Sequence, residues 1–266
     1  MNKPNVLVFS GYGLNSEEET AFGFEWAGAK ADIVHINDLI DGRVDLSDYQ
    51  ILSFPGGFSY GDDTGSGNAY ANKVRNHLWE LLQTFIAEDK LVIGICNGCQ
   101  IVANLGLVPA FTKQYGERNV ALTNNNSARF VTRWTDLKVT AETPWLAGLK
   151  ELSLPIAHGE GKFFASEDDL KKLKKNKQIA LQYTKGSISK HLSLPANPNG
   201  SIADIAGIID ESGKILALMP HPERGMFFNQ LPHWTFLKEQ YIRKGSILPK
   251  VGSGLQLFRN AVKYFS

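Results

Sequence analysis

Apolar residues in the first part of the chain form short runs, and longer amphipathic stretches separate these runs. Ser16, followed by Glu19 three residues later, predicts a capping box and a helix that continues through Trp26. The apolar positions from Asn68 to Phe85 recur at helical spacing, and a third helix is predicted over 97–105. The short runs are predicted to be strands: VLVFS at 6–10, ADIVHI at 31–36, ILSF at 51–54 and LVIGI at 91–95.

The second part of the chain contains more strand-like runs and fewer helical patterns. The stretch ADIAGIIDESGKILALMP predicts an antiparallel hairpin that turns at 211–213. The runs predicted as strands are ARFVTRW, LSLPIAH, QIALQY, IADIAGI and KILALMP. Because strands and helices alternate earlier in the chain, we predict an α/β fold: an open, mostly parallel mixed sheet with helices on both faces.

Length and composition limit the classes of function. A chain of 266 residues can form one large domain or two small ones; no repeat or linker divides it, so we predict a single domain over 1–266. The net charge of +1 gives no reason to expect a nucleic acid or an anionic membrane as a partner, and the basic block at 171–177 is predicted to be a solvated helix face. No apolar run approaches the ~20 residues of a membrane span, and the N-terminal stretch lacks a signal-peptide core. We therefore expect a cytoplasmic protein.

A cysteine lies between two glycines, at the junction of a predicted strand and a predicted helix. Gly94 and Gly98 flank Cys96 as the serine is flanked in a nucleophile elbow, where a Cβ on either neighbour would clash. The turn would lift the sulfur off the sheet edge into solvent, and the positive end of the helix dipole would favour the thiolate. The backbone N–H of Asn97 would be free to bind an oxyanion. The alternative interpretation is a free cysteine that packs as a small apolar residue.

A nucleophilic thiol needs a base, and the base needs a group that orients it. His221 and Glu223 follow a predicted strand, and residues two apart in an extended segment point to the same side. The Glu223 carboxylate would then fix the tautomer of the imidazole. Gly56 and Gly57 also follow a strand, so their backbone N–H groups could complete an oxyanion hole at the same sheet edge. An ordinary glycine turn is the alternative there.

Five stretches, in this order, resemble the glutaminase subunit of phosphoribosylformylglycinamidine synthase, a family of the class I, triad-type glutamine amidotransferases: PGGFSYGD, GICNGCQ, PIAHGEGKF, NPNGS and MPHPERG. The resemblance runs from Val6 to about Met226. GICNGCQ and MPHPER indicate the wider superfamily, whereas PIAHGEGKF and NPNGS indicate its purine-pathway member. The resemblance implies the flavodoxin-like fold of class I glutamine amidotransferases.

The resemblance also implies roles for individual residues. Cys96 would attack the glutamine carboxamide, His221 would shuttle protons and Glu223 would orient His221. Gly57, at the Gly56–Gly57 turn, and Asn97 would supply the oxyanion N–H groups.

Three further side chains would act around the site according to the resemblance. Gln100 would help to hold the substrate, and His158 and Glu160 would lie near the site or near the contact with the synthase. Two stretches depart from the family pattern. Asp63–Gly67 replaces a Tyr-Leu-Arg type of run, and 227–255 is longer than in a compact member, so we expect an extra surface element there.

The implied reaction has a partner. Ammonia from glutamine would pass to a synthase subunit that uses ATP and Mg and converts formylglycinamide ribonucleotide to formylglycinamidine ribonucleotide in de novo purine biosynthesis. A small accessory subunit would complete the assembly. We expect no cofactor and no metal on this chain, because it has no phosphate-binding loop or dinucleotide motif and no clustered zinc ligands.

Several other functions are compatible with parts of the sequence. Gly57-Phe58-Ser59-Tyr60-Gly61 matches the elbow of a serine hydrolase, but no helix is predicted directly after it. Cys96 and Cys99 form a C-x-x-C motif, as in thiol oxidoreductases; this leaves the flanking glycines and the His-Pro-Glu unexplained. A glutaminase that serves a different synthase and a non-catalytic scaffold are the remaining alternatives.

Overall fold

A computed structural model describes residues 3–266, and nine of its strands form one sheet. The strands are β1 (Asn5–Ser10), β2 (Lys30–His35), β3 (Ile51–Phe54), β4 (Leu91–Ile95), β5 (Val120–Thr123), β6 (Val131–Val139), β7 (Glu151–His158), β8 (Lys162–Ala165), β9 (Ile179–Thr184), β10 (Ile205–Ile209) and β11 (Ile215–Leu218). The helices are α1 (Glu17–Ala27), α2 (Ile36–Ile40), α3 (Asn68–Ala87), α4 (Asn97–Asn104), α5 (Glu167–Lys175), α6 (Ser187–His191), α7 (Trp234–Arg243) and α8 (Gly254–Tyr264).

The order of the strands in the large sheet is β2-β1-β3-β4-β11-β10-β9-β6-β7. The first five of these run parallel to one another, and each later pair is antiparallel. The predicted mixed sheet is therefore confirmed, as is the hairpin between β10 and β11. Because β11 lies beside β4, the segments that follow these two strands leave the sheet next to each other.

Both faces of the sheet are covered. All four residues from Val6 to Phe9 in β1 are buried, although successive side chains point to opposite faces. Helix α1 packs against α8 through an edge-to-face contact of Phe24 with Phe258, whose ring centroids are 4.8 Å apart. Helices α3 and α4 form a second pair. This agrees with the prediction of helices on both faces.

Several local predictions were wrong. Strand β6 begins at Val131 and extends to Val139, beyond the predicted ARFVTRW, and 202–204 forms a short 3-10 turn before β10. Ser16 precedes α1 without a side-chain capping bond, because its hydroxyl accepts a hydrogen bond from Arg224 instead. The small antiparallel sheet of β5 and β8 has no counterpart in the prediction. Residues 171–175 of the basic block lie on helix α5, in which only Leu173 is buried, and residues 176 and 177 follow its end.

The segment 227–255 contains helix α7, none of whose residues is buried. A backbone bridge between Phe227 and Val251 closes the base of this segment. Its assignment as an extra element on a single domain over 1–266 stays a prediction, and residues 1 and 2 lie outside the described part. No helix within 3–266 is long and apolar enough to cross a membrane.

Candidate active site

The candidate site lies at the carboxyl ends of parallel strands. In the sheet Phe54 pairs with Gly94, and Leu218 pairs with Ile95, so β3, β4 and β11 end at nearly the same level. The loops after these strands carry the two glycines, the cysteine and the histidine that the sequence singled out. This is the edge at which open α/β sheets bind ligands.

Cys96 connects β4 to α4 in a strained conformation. Its φ of 52° and ψ of −106° lie outside the usual regions for a residue with a side chain. Its N–H donates to the carbonyl of Leu218 on β11 at 2.9 Å, which holds the turn against the neighbouring strand. Strain of this kind persists only where the surroundings enforce it, and it is frequent at functional sites.

Gly94 and Gly98 are needed because neighbouring backbone segments lie too close to leave room for a side chain at either position. A Cβ on Gly98 would lie 1.8 Å from the carbonyl oxygen of Phe54, and one on Gly94 would lie 2.5 Å from that of Gly98. The start of α4 is thus packed directly against the end of β3. The sequence pattern of a nucleophile elbow predicts this steric requirement for glycine at both positions.

We expect Gly98→Ala to destabilise the fold and to displace the elbow. The new Cβ meets a backbone oxygen, which has little freedom to move, so the loss should reach or exceed the roughly 1–3 kcal/mol of an overpacked core. The matched control is Gly159→Ala, because its Cβ would have no atom closer than 3.9 Å. Thermal unfolding of both variants measures the difference; equal stability of the two would contradict the packing argument.

The sulfur of Cys96 is covered, which corrects the expectation that the elbow would lift it into solvent. The residue is only 5% exposed. Its Sγ lies 3.6 Å from the carbonyl oxygen of Ala157, near the end of β7, and this strand end covers it. Cys99, one helical turn further on, is fully buried, and burial raises the pKa of its thiol well above the usual value.

His221 and Glu223 lie together in the interior. The ring Nδ1 is 2.5 Å from Oε1 of Glu223, and both residues are 2% exposed. The segment is not extended as predicted: Pro222–Arg224 forms a 3-10 turn, and this turn brings the carboxylate back to the ring. The backbone N–H of His221 donates to the carbonyl of Pro155 at 2.8 Å, which fixes the segment against β7.

The electrostatic surroundings of His221 favour its protonated form. Burial lowers its pKa, but the Glu223 carboxylate and the Cys96 thiolate raise it by more, so the net direction is upward. Its Nε2 is buried and makes no well-directed hydrogen bond to any residue within 3–266. A protonated imidazole beside a cysteine stabilises the thiolate, as in cysteine hydrolases.

The glycine loop after β3 passes directly over the histidine. A Cβ on Gly56 would lie 2.9 Å from Cε1 of His221, and one on Gly57 would lie 2.5 Å from the carbonyl oxygen of Gly13. The backbone N–H groups of Gly57 and Asn97 make no hydrogen bond within the described part of the chain. Unpaired N–H groups at such a turn are suited to bind a developing oxyanion.

Asn97 and Gln100 hold the loops of the site together. The Asn97 Nδ2 donates to Oε1 of Gln100 at 2.8 Å, and its Oδ1 accepts from the N–H of Ser59 at 3.0 Å. The Gln100 Nε2 donates to the carbonyl of Glu160 at 2.6 Å. Both polar ends of the Gln100 side chain therefore bond protein atoms here, and its contact with substrate stays a prediction.

His158 is buried at the end of β7, close enough to His221 to be affected by its charge. Its Nδ1 is 3.1 Å from Oδ1 of Asn125, whose own amide donates to two backbone carbonyls. Burial, and then the nearby charge of His221, lower the pKa of His158 to about 4. This ring is therefore neutral at physiological pH, in contrast to His221.

Sequence reasoning missed Arg224. Its Nη2 donates to Oγ of Ser16 at 2.9 Å and to Oε1 of Glu19 at 3.2 Å, and its Nε is 4.0 Å from Glu223. It thereby ties the start of α1 to the His-Pro-Glu turn. The residue lies within the quoted stretch MPHPERG, but nothing local reveals a contact with residues about two hundred positions earlier.

The structure can be compared with three alternative sites: a serine nucleophile, a redox-active cysteine pair and a metal site. Ser59 begins a 3-10 turn, Ser59–Asp62, and the next helix starts only at Asn68, so it does not occupy a strand–helix elbow. Cys96 and Cys99 are both free thiols. Within residues 3–266, no three His, Cys, Asp or Glu side chains are arranged to hold a metal ion.

The fold and the site correspond to a known class of enzyme, the glutamine amidotransferases. Residues 3–265 match the family model of the CobB/CobQ-like glutamine amidotransferase domain. A protein of Methanococcus maripaludis, "Phosphoribosylformylglycinamidine synthase subunit PurQ", is 49% identical over 99% of this chain and 98% of its own length. The protein of that name in Dehalococcoides mccartyi is 42% identical, over 99% and 98% of the two chains.

A solved structure shows the same architecture. A chain of "Structure of PurLQS from Thermotoga maritima" superposes with a TM-score of 0.71 at 27% identity, over 99% of this chain and 100% of that one. The protein therefore belongs to the PurQ family of glutamine amidotransferases.

Proposed function

We propose that the chain is the glutamine-hydrolysing subunit of a phosphoribosylformylglycinamidine synthase, with Cys96, His221 and Glu223 as its catalytic residues. The observation that carries the proposal is the buried His221–Glu223 pair. Cys96 is close enough to His221 to raise the pKa of the ring, and Gly56 passes over the ring. Membership of the PurQ family agrees with this assignment.

The reaction follows from the arrangement of these groups. The Cys96 thiolate attacks the carboxamide carbon of glutamine, and the N–H groups of Gly57 and Asn97 bind the oxyanion. His221 donates a proton to the leaving nitrogen, so ammonia departs and a thioester forms. His221 then takes a proton from water, which attacks the thioester; the products are glutamate and free Cys96.

Glu223 acts through His221 in this scheme. Its carboxylate holds Nδ1–H of the ring, so that Nε2 is the atom that exchanges protons with Cys96, the leaving group and water. Burial of the pair keeps competing water away and strengthens their electrostatic interaction. The carboxylate itself keeps its charge throughout the cycle.

The ammonia is passed to a synthase subunit. Ammonia is mostly ammonium at neutral pH, which is not a nucleophile, so release into solvent would waste it. In the proposed assembly the chain acts as one domain in the cytoplasm, with a PurL-type subunit and a small accessory subunit. The synthase uses ATP and Mg to convert formylglycinamide ribonucleotide to formylglycinamidine ribonucleotide.

We expect weak glutamine hydrolysis by the isolated chain and strong stimulation on assembly. One oxyanion donor is worth roughly 10² to 10³ in kcat, so a slightly displaced Gly56–Gly57 loop would suffice to keep the free chain nearly idle. The measurement is glutamate release by the chain alone, then with the synthase and accessory subunits, ATP and formylglycinamide ribonucleotide. Glutamate and the amidine product should appear in equal amounts.

The same experiment separates two possible failures. Glutamate release that the synthase does not stimulate would indicate a glutaminase that serves a different synthase. Absence of glutamate release under both conditions would reject glutamine hydrolysis itself.

A further inference from the structure

A cavity beneath the segment 227–255 is separate from the candidate active site. Its volume is about 350 Å³, which lies within the range of sites that bind small molecules. Strands β6, β7 and β9 and the start of α6 form its floor, and the segment 227–255 forms its roof. None of the residues that line it belongs to the proposed catalytic set or to the loops around that set.

The floor carries a row of polar side chains across three neighbouring strands. Asp136 of β6 pairs with Ser153 of β7 and with Thr184 of β9. Side chains of residues directly opposite each other in a sheet point to the same face. The floor therefore presents one carboxylate between two hydroxyl groups to the cavity.

The carboxylate of Asp136 is buried without a cationic partner. The residue is 5% exposed, and its oxygens accept hydrogen bonds from the Ser153 hydroxyl and from two backbone N–H groups at the start of α6. It forms no ion pair within 3–266. Arg133, three residues earlier on β6, donates instead to the carbonyls of Pro195 and Ala196. A buried charge of this kind is stabilised by a cation that binds next to it.

The charge of the cavity has one sign, and its roof is apolar. Glu151, which is exposed, adds a second carboxylate at the rim, and no lysine or arginine within 3–266 lines the cavity. The apolar and aromatic side chains of the roof are Phe228, Leu231, Leu237, Tyr241, Pro249 and Val251. A negative floor under an apolar roof suits a molecule that has a cationic end and an apolar body.

One histidine of the cavity wall lacks the hydrogen bonds that its burial requires. His233 is only 5% exposed, and neither of its ring nitrogens has a partner within 3–266. Its ring stacks against that of His191, with the centroids 5.3 Å apart. Burial, and then the charge of His191, lower the pKa of His233, and the Asp136 carboxylate opposes this only in part, so the ring is neutral and one nitrogen is bare. Because buried polar atoms without partners are rare and costly, this ring is a second indication of a ligand.

We infer that this cavity binds a small organic cation, an amine or amidine with an apolar body. The N–H groups of the cation donate to the Asp136 carboxylate, and His233 turns its bare nitrogen toward the same group. The apolar body lies against Phe228 and Leu237 of the roof. The segment 227–255, an extra surface element by sequence, thereby becomes part of a binding site. The inference does not depend on glutamine hydrolysis.

The test uses three probes of nearly the same shape and different charge. Benzamidine is a cation at neutral pH, benzamide is neutral and benzoate is an anion. Isothermal titration calorimetry measures the affinity of the full chain for each probe. The variants are Asp136→Asn and His233→Phe, and the second of these keeps the ring and its stacking but removes both nitrogens. The matched controls are Asp168→Asn and His77→Phe, at exposed positions on α5 and α3 that do not line the cavity.

The unmodified chain should bind benzamidine at least tenfold more tightly than benzamide or benzoate. Asp136→Asn and His233→Phe should each weaken benzamidine binding by roughly tenfold to a hundredfold, as expected for one lost charge-assisted hydrogen bond. Both controls should bind benzamidine as the unmodified chain does. Benzamidine should also raise the Tm of the unmodified chain and of the controls more than that of the two cavity variants.

Three outcomes would overturn the inference. Absence of benzamidine binding would reject the cation site, and equal affinity for the three probes would reject recognition of charge. An unchanged benzamidine affinity in the cavity variants would place the bound cation elsewhere on the chain. If the loss of its bonds to α6 prevents Asp136→Asn from folding, as thermal unfolding would show, the affinity of His233→Phe decides alone.

Discussion

Cys96→Ser should abolish glutamate release while it leaves the fold intact. The serine hydroxyl is nearly isosteric with the thiol, so the buried turn between β4 and α4 keeps its packing. A hydroxyl does not ionise near neutral pH, and the carboxamide would face a far weaker nucleophile. Removal of the nucleophile of a triad enzyme costs up to about 10⁶-fold in kcat. The measurement is glutamate release in the assembled complex, together with the far-UV circular dichroism and thermal unfolding of the variant.

Cys99→Ser is the matched control, since it makes the same atomic change one helical turn away. Cys99 is fully buried and points into the packing of α4, so the variant should keep most of the activity. Some stability should be lost, because a buried hydroxyl without a partner costs roughly 1–3 kcal/mol. Equal loss of activity in both variants would instead favour thiol redox chemistry, as would a Cys96–Cys99 disulfide that turnover requires.

The elements of the parallel half of the sheet could be predicted because the signals for them are local. Each buried strand is a short apolar run, and α3 shows its helical period over twenty residues. The need for glycine at Gly94 and Gly98 is also a local signal, since each glycine lies within four residues of the turn that it permits. The position of β11 beside β4 completes the site, and no local pattern in the sequence predicts this pairing.

The missed features depend on contacts between distant parts of the chain. The Cys96 sulfur is covered by the backbone carbonyl of residue 157. Every residue type has such a carbonyl, so the sequence does not reveal this contact. Ser16 and Glu19 form a capping pattern, yet both bind Arg224, 208 and 205 positions later. Tertiary hydrogen bonds of this kind override a local capping preference. Strands β6 and β7 at the antiparallel edge were harder to predict, because both are half-exposed and their bounds depend on register.

The chemistry of the site was more predictable than its exposure. Residue types at the strand ends identified a thiol, an imidazole and a carboxylate. The structure places the imidazole against the carboxylate and close to the thiol. The 3-10 turn at Pro222 changes the path between His221 and Glu223 without changing the contact.

Glu223→Gln should leave the fold intact and reduce kcat by roughly 10² to 10⁴, by analogy with replacement of the triad aspartate in serine proteases. The amide keeps the size of the side chain but loses the charge that stabilises the imidazolium. It also offers an N–H to Nδ1 of His221, which would favour the wrong tautomer. Because Glu223 contributes to the raised pKa of His221, the ring in the variant should lose its proton at lower pH.

The pH dependence distinguishes this role from a merely structural one. In the unmodified complex the imidazolium persists to high pH; in Glu223→Gln the part of the kcat/KM profile that depends on it should move toward acid. His221→Ala should reduce kcat at least as much, because it removes the imidazole that Glu223 orients. Glu167→Gln, on the exposed first turn of α5, is the control and should behave as the unmodified protein. An unchanged rate and an unchanged pH profile in Glu223→Gln would remove Glu223 from the mechanism and leave His221 without an orienting group.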